Sequence, residues 1–204
     1  MNWTLDPPAP VLTVTAGQWD EGGNETPAVV SFGGKYHMFW TGYPDAWPPP
    51  PNASLHFRIG HATSTDGISW TKDASFLLGP SGVPGDFAEF IVGEPGPVVF
   101  NNTLYLYFTA VGVDAGLAAS LQVVGVMTSA DGLSGWTQDP APIRRLTDFP
   151  WTQREIRSPG AFLDGTTLRL YFAGDDLVYH GRVGHRTDDL LAGAVSFAVR
   201  NLNC

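Results

Sequence analysis

The feature that most constrains this chain is internal repetition. Trp3-Thr4-Leu5-Asp6 returns as Trp70-Thr71-Lys72-Asp73 and again as Trp136-Thr137-Gln138-Asp139, at steps of 67 and 66 residues. A second landmark keeps the same phase: Trp19, Phe87 and Trp151 each precede a proline by eight residues, at Pro27, Pro95 and Pro159. Each proline leads into a few apolar residues, a turn and an aromatic run. The turns are Gly33-Gly34, Asn101-Asn102 and Asp164-Gly165, whose residue types tolerate positive φ and so close tight hairpins. A third landmark is Arg58-Ile59-Gly60-His61-Ala62-Thr63-Ser64, matched by Val123 to Ser129 and by Arg182 to Thr187. Repeats of this length, once found, decide the architecture.

Each unit reads as four short antiparallel strands: one after the proline, one after the hairpin, one around the central glycine and one at Trp-Thr-x-Asp. The strand residues are Val, Ile, Tyr, Phe, Trp and Thr, the types that suit a pleated, half-buried surface. No segment sustains a helical period. Charged residues are 15% of the 204, well below the usual ~25%, which excludes a helical bundle with solvated outer faces. Four-stranded repeats of this kind are propeller blades. The expected fold is therefore all-β, a single β-propeller domain over 1–204 with about three blades, near 19–78, 87–145 and 151–200. Residues 3–12 read as a remnant of a preceding blade or as a closing strand. Asp66 and Asp131 precede Trp70 and Trp136 and are expected to make Asx-type turns.

The charge balance narrows the partners. Eleven basic residues face twenty acidic ones, for a net charge of −9. A nucleic-acid binder needs a basic footprint to displace counterions, and only Lys35 and Lys72 are lysines. Nucleic acid and an anionic membrane surface are both excluded as partners, and a neutral substrate such as a sugar fits. The single cysteine, Cys204, rules out a disulfide within the chain. No apolar run is long enough for a membrane span.

Tyr36-His37-Met38-Phe39-Trp40-Thr41-Gly42 followed by Arg58-Ile59-Gly60-His61-Ala62-Thr63-Ser64-Thr65-Asp66-Gly67-Ile68-Ser69-Trp70 resembles the five-bladed propeller glycosidases. These comprise glycoside hydrolase family 43, the invertase-like enzymes and the mannoside phosphorylase group. The resemblance covers nearly the whole chain as a blade pattern and implies an incomplete five-bladed propeller. Ser-x-Asp-Gly-x-x-Trp is also similar to the sialidase Asp-box, but lacks that motif's extra residue between Asp and Gly. The resemblance implies carboxylates on the innermost strand of successive blades, placed just before proline. Pro27, Pro95 and Pro159 put Thr26, Glu94 and Ser158 there. It thus implies Glu94 as general acid, with Thr26 and Ser158 departing from the pattern and a base two blades earlier, upstream of Met1.

Glycoside cleavage needs one carboxylic acid to protonate the leaving oxygen and one carboxylate to activate water or attack. The acidic candidates cluster before the prolines: Asp20, Glu21 and Glu25, then Asp86, Glu89 and Glu94. The third unit carries Arg154, Glu155 and Arg157 there, and Glu21, Glu89 and Gln153 share one repeat column. Glu94, Glu89 and Glu21 are the expected catalytic residues. Asp20, Glu25, Arg154, Arg157, Trp19 and Trp151 are the expected substrate-binding residues, with inter-blade packing the competing role for the two tryptophans. Trp47, in the Pro48–Pro51 insertion, is a candidate subsite wall. His61 and His185 share a column, but without further ligand spacing they read as structural, and no metal site is expected.

The expected function is carboxylate-catalysed hydrolysis of a neutral glycan, that is, a glycosidase in carbohydrate metabolism. The alternatives are a non-catalytic carbohydrate- or protein-binding propeller, or an inactive fragment of a larger enzyme. No cofactor is expected from the residues, and the resemblance alone admits a calcium ion. Open blade faces imply self-association. The chain shows no signal peptide, and a secreted or periplasmic protein freed of its leader reads the same.

Overall fold

The hairpin turns close as their residues predict. Gly33, Gly34, Asn101, Asn102 and Gly165 all take positive φ, the left-handed region open to Gly and tolerated by Asn. The structure, a computed structural model, describes residues 9–44, 56–113, 120–143, 155–165, 167–175 and 196–200. Blade 1 is β1 (Gly23–Phe32), β2 (Lys35–Tyr43), β3 (Arg58–Ser64) and β4 (Thr71–Lys72), antiparallel in that order. Blade 2 repeats it with β5 (Ile91–Phe100), β6 (Thr103–Val113), β7 (Ser120–Ser129) and β8 (Thr137–Gln138). Blade 3 contains β9 (Glu155–Asp164), β10 (Thr167–Asp175) and β11 (Ser196–Arg200). There is no helix among the described residues. The chain is a partial β-propeller.

Two details differ from the sequence reading, and a third lies mostly outside the described residues. The first strand of each blade starts four residues before its proline, at Gly23, Ile91 and Glu155, because a bulge inside the strand accommodates the proline. In blade 3 the strand paired with β10 is Ser196–Arg200, whereas the expected segment around Gly184 lies outside the described residues. Of residues 3–12 only 9–12 are described, and these form no strand.

The period-2 alternation of each strand assigns its faces. On β6, Leu104, Leu106, Phe108 and Ala110 pack with Phe32, Phe39 and Ile59 of blade 1. The intervening Tyr107 joins Val124 and Val126 of β7 against Ile156, Leu168, Leu170 and Phe172 of blade 3. Blade 2 is thus apolar on both faces, as a strand set buried between two sheets must be. Trp136, on the outer strand side of blade 2, meets Phe39 edge-on at 5.9 Å, so it packs between blades.

The Asp turns hold the outer edges. Asp66 Oδ1 accepts from the N–H groups of Ile68 and Ser69 and from the Ser64 hydroxyl. Asp131 Oδ1 repeats this with Leu133, Ser134 and Ser129. These bonds, the backbone N–H groups foremost, hold both carboxyls far below the usual carboxylate range, as donors to a charged oxygen do.

A buried histidine pair braces the blade 1–blade 2 seam. His37 Nδ1 lies 3.0 Å from His61 Nε2, and His61 Nδ1 lies 2.8 Å from Asp73 Oδ2. The His37 ring also abuts Gly132 in the Asp131 turn of blade 2. Burial, then the neighbouring His61, lowers the His37 pKa below its ordinary 6.5; Lys35 adds to this, while the Phe32 carbonyl and Asp131 oppose it. The folded state therefore resists a proton that the unfolded chain accepts below about pH 6.5, so this site costs stability as pH falls through that window. The melting temperature is expected to drop between pH 7 and pH 5. His37→Gln should flatten that slope, which thermal melts across the range would read.

Candidate functional site

The site is built by one backbone device used three times. Strand pairing slips between Glu25 and Ala28, between Gly93 and Gly96, and opposite the Tyr171–Ala173 step, where Arg157 gives way to Gly160. The residues left unpaired are Thr26-Pro27, Glu94-Pro95 and Ser158-Pro159. A bulge is where a strand tolerates proline, since no ladder N–H is required there. The residue before each proline has left-handed φ: 50° at Thr26, 50° at Glu94 and 54° at Ser158. Non-glycine residues in that region cost about 1 kcal/mol or more each and collect at functional sites.

Two threonines tie these bulges together. Thr41 on β2 and Thr109 on β6 occupy one repeat column, after Trp40 and Phe108. Thr41 Oγ1 lies 2.7 Å from Thr26 Oγ1 and accepts the Glu94 N–H at 2.8 Å. Thr109 donates its hydroxyl to Glu94 Oε2 at 2.7 Å and accepts the Ser158 N–H at 2.9 Å. The Ser158 N–H also reaches Glu94 Oε2 at 2.8 Å. Each threonine therefore bonds the bulge side chain of its own blade and the bulge N–H of the next. In blade 3 the column holds Ala173, where the series ends.

Glu94 and the residues flanking the bulges, Glu25, Gly93 and Arg157, line a cavity of about 210 Å³ that draws on all three blades. Glu25, Glu94, Glu155 and Arg157 line it, with Thr41, Thr109, Phe57 and Gln122. Arg157 Nε donates to Glu155 Oε1 at 2.8 Å. Withdrawal from water at the cavity wall, and then the charge of Glu94, push the Glu25 carboxyl above its ordinary value of 4.5. The buried Oε1 of Gln122 has no hydrogen-bond partner among the described residues. Three carboxylates against one guanidinium disfavour an anionic ligand.

Of the sequence-derived candidates, Glu94, Glu25 and Arg157 come together in this cavity. Glu21 and Glu89 do not line it. Their matched phase serves matched loops: Glu21 Oε2 accepts the Gly17 N–H at 2.9 Å, and Glu89 Oε2 accepts the Gly85 N–H at 2.9 Å. Asp20 is 1% exposed and paired with Lys72, holding the segment before β1 against the outer strand of blade 1. Trp19 stacks on Trp40 at 6.0 Å and lies over Gly42 and Gly60, so it packs within blade 1. Arg154, Trp151, Trp47 and His185 lie outside the described residues. Glu155 stood in the third acidic cluster without a role. Thr41, Thr109 and Gln122 were missed altogether, although the shared column of the two threonines was a readable signal.

No family model and no curated protein matches the chain, but solved structures do. One is Zg3597, a family 117 glycoside hydrolase of the marine bacterium Zobellia galactanivorans. It is 22% identical, with a TM-score of 0.64 over 93% of this chain and 58% of that one. A second comes from the GH130 family of mannoside phosphorylases, described as containing glycoside hydrolases that target β-1,2 mannosidic linkages in Candida mannan. It is 14% identical, with a TM-score of 0.61 over 82% of this chain and 52% of that one. A third is the GH43_1 enzyme of Xanthomonas citri complexed with xylotriose, 17% identical, with a TM-score of 0.56 over 88% of this chain and 45% of that one. The chain has the propeller fold of these glycoside hydrolases and spans about half their length.

The bulges approach one another closely. A Cβ on Gly96 would stand 2.2 Å from the carbonyl oxygen of Pro159, a backbone atom that cannot swing aside. Gly96→Ala must therefore push blades 2 and 3 apart at the bulge. The expected loss is about 1–3 kcal/mol, as for other overpacked sites, or roughly 2–10 °C in melting temperature for a domain this size. A melt would measure it, and an unchanged melting temperature would contradict the contact.

Proposed function

We propose that the cavity binds a neutral glycan and cleaves its glycosidic bond with the Glu25–Glu94 pair. The observation that carries this reading is the convergence of Glu25, Glu94 and Glu155 on one cavity, in a fold shared with glycoside hydrolases. Two neighbouring carboxyls whose environments separate their proton affinities divide acid from base. Glu94 Oε2 accepts two hydrogen bonds, which hold the carboxylate in place for the base role. Glu25 is pushed toward keeping its proton by burial at the cavity wall first and by the Glu94 charge second, so Glu25 is the donor to the leaving oxygen. This reverses the role that the resemblance implied for Glu94. Phe57 supplies an apolar face for a sugar ring, and the Arg157–Glu155 pair supplies polar contacts for hydroxyl groups.

A second reading is a glycan-binding propeller without turnover. Thr26 and Ser158 favour it, because two of the three matched bulge positions carry hydroxyls instead of carboxylates. A panel of aryl glycosides with parallel calorimetry separates the two: binding without release of the aryl group supports the second reading.

For the enzyme, Glu25→Gln and Glu94→Gln should each lower kcat by about 10²–10⁴, the usual contribution of a general acid or base. An activated leaving group that needs no protonation should restore Glu25→Gln and leave Glu94→Gln slow. Because a general acid works only while protonated, and Glu25 is raised, activity should fall on the alkaline side at a pH above the ordinary glutamate value of 4.5. Equal rescue of both variants by the activated substrate would overturn the division of roles.

A further inference from the structure

Thr109 is 6% exposed and its hydroxyl has one proton. The Ser158 N–H fills its acceptor side at 2.9 Å, and Glu94 Oε2 takes the proton at 2.7 Å. The same Ser158 N–H gives Oε2 a second donor at 2.8 Å. An oxygen that accepts from two donors is not the one that carries a proton. Any proton on Glu94 therefore sits on Oε1, and any exchange with substrate passes through Oε1.

We propose that Thr109 is a positioning residue that fixes the Glu94 carboxylate to the blade 2–blade 3 seam and reserves its Oε1 for chemistry. The proposal rests on the functional reading above for its kinetic consequence, but its geometric content stands apart from it. Comparison within the chain supports it. Thr41 makes the same inter-blade bond to the Glu94 N–H, but the bulge side chain it meets is the Thr26 hydroxyl. The device is therefore a seam fastener in both places and holds a carboxylate only in blade 2. Thr109 sits between the seam and the cavity: it lines the cavity, while Tyr107, two residues earlier on the same face, packs against blade 3. A rigid seam thus sets the carboxylate without any loop contributing.

The test compares Thr109→Val, which keeps the shape and removes the hydroxyl, with Thr109→Ser, which keeps the hydroxyl. Val126→Ala is the control, since it loosens the blade 2–blade 3 core away from the cavity. With an aryl glycoside that the wild type cleaves, Thr109→Val should lose about 100-fold in kcat with KM within about 2-fold, as for a misplaced catalytic group. Thr109→Ser should recover most of that loss, and Val126→Ala should lower the melting temperature without the kcat effect. A kcat loss shared by Val126→Ala, or absent from Thr109→Val, overturns the proposal. If the wild type cleaves no glycoside, the functional reading fails and crystal structures of the wild type and Thr109→Val decide. A Glu94 carboxylate that leaves the Ser158 N–H in the valine variant supports the positioning role, and one that stays overturns it.

Discussion

The arrangement of this molecule depends on the bond between a threonine hydroxyl of one blade and the bulge N–H of the next. Among the described residues, the rest of the contact between blades is apolar faces, where contact is non-directional, and two backbone links, the Val92 N–H on the Phe57 carbonyl at 3.4 Å and the parallel pairing of Gln122 on β7 with Glu155 on β9. The Phe32–Phe39–Leu106–Phe108 seam and the Val124–Val126–Leu170–Phe172 seam press the blades together without specifying their relative offset. Thr41 to Glu94 N and Thr109 to Ser158 N fix that offset together with the backbone links, because a buried hydroxyl tolerates little misalignment before its partner is left unpaired.

The bulges explain why polar chemistry collects at these places. A left-handed residue followed by proline takes the backbone out of ladder pairing and, in blade 2, sets the Glu94 side chain on the cavity wall. Three non-glycine residues at φ near 50° would be a net expense in an isolated sheet. Here each bulge N–H that is seen bonded lands on a threonine of the preceding blade, so the strained conformation is held by its neighbour. Gly96 belongs to the same design: its missing side chain is what lets the Pro159 carbonyl come in. Strain, close approach and the acidic residue are three aspects of one local geometry.

The fold was legible in the sequence because its signals are periodic. Hairpin glycines and asparagines, the Asp turns at Asp66 and Asp131 and the recurring Trp-Thr-x-Asp all specify local backbone, and local backbone repeated three times specifies blades. Strand starts were misjudged because proline ordinarily interrupts a strand, and nothing in one chain's sequence distinguishes a proline at a boundary from one at a bulge. The site was legible in part. Glu94 and Arg157 stood out by position relative to proline, and both line the cavity. Glu21 and Glu89 carried an equally regular signal with a different cause: each closes its own loop on a glycine N–H four residues back. Repetition of a charged residue marks a repeated need, and the need can be a turn as readily as a substrate.

The threonines reveal the complementary limit. Thr41 and Thr109 match in column as well as any acidic pair, yet threonine in a strand is ordinary and draws no notice. Their role appears only when the neighbouring blade is in place, because each bonds across a gap of about fifty residues in sequence, 53 for Thr41 to Glu94 and 49 for Thr109 to Ser158. The divergence at the bulge itself follows from this arrangement. Thr26, Glu94 and Ser158 differ in chemistry while sharing φ and the proline, since each threonine reaches the next blade through that blade's bulge N–H, which any residue at that position supplies. The side chain before the proline can therefore differ between blades, and in blade 2 the carboxylate that stands there joins the seam by accepting the Ser158 N–H as well.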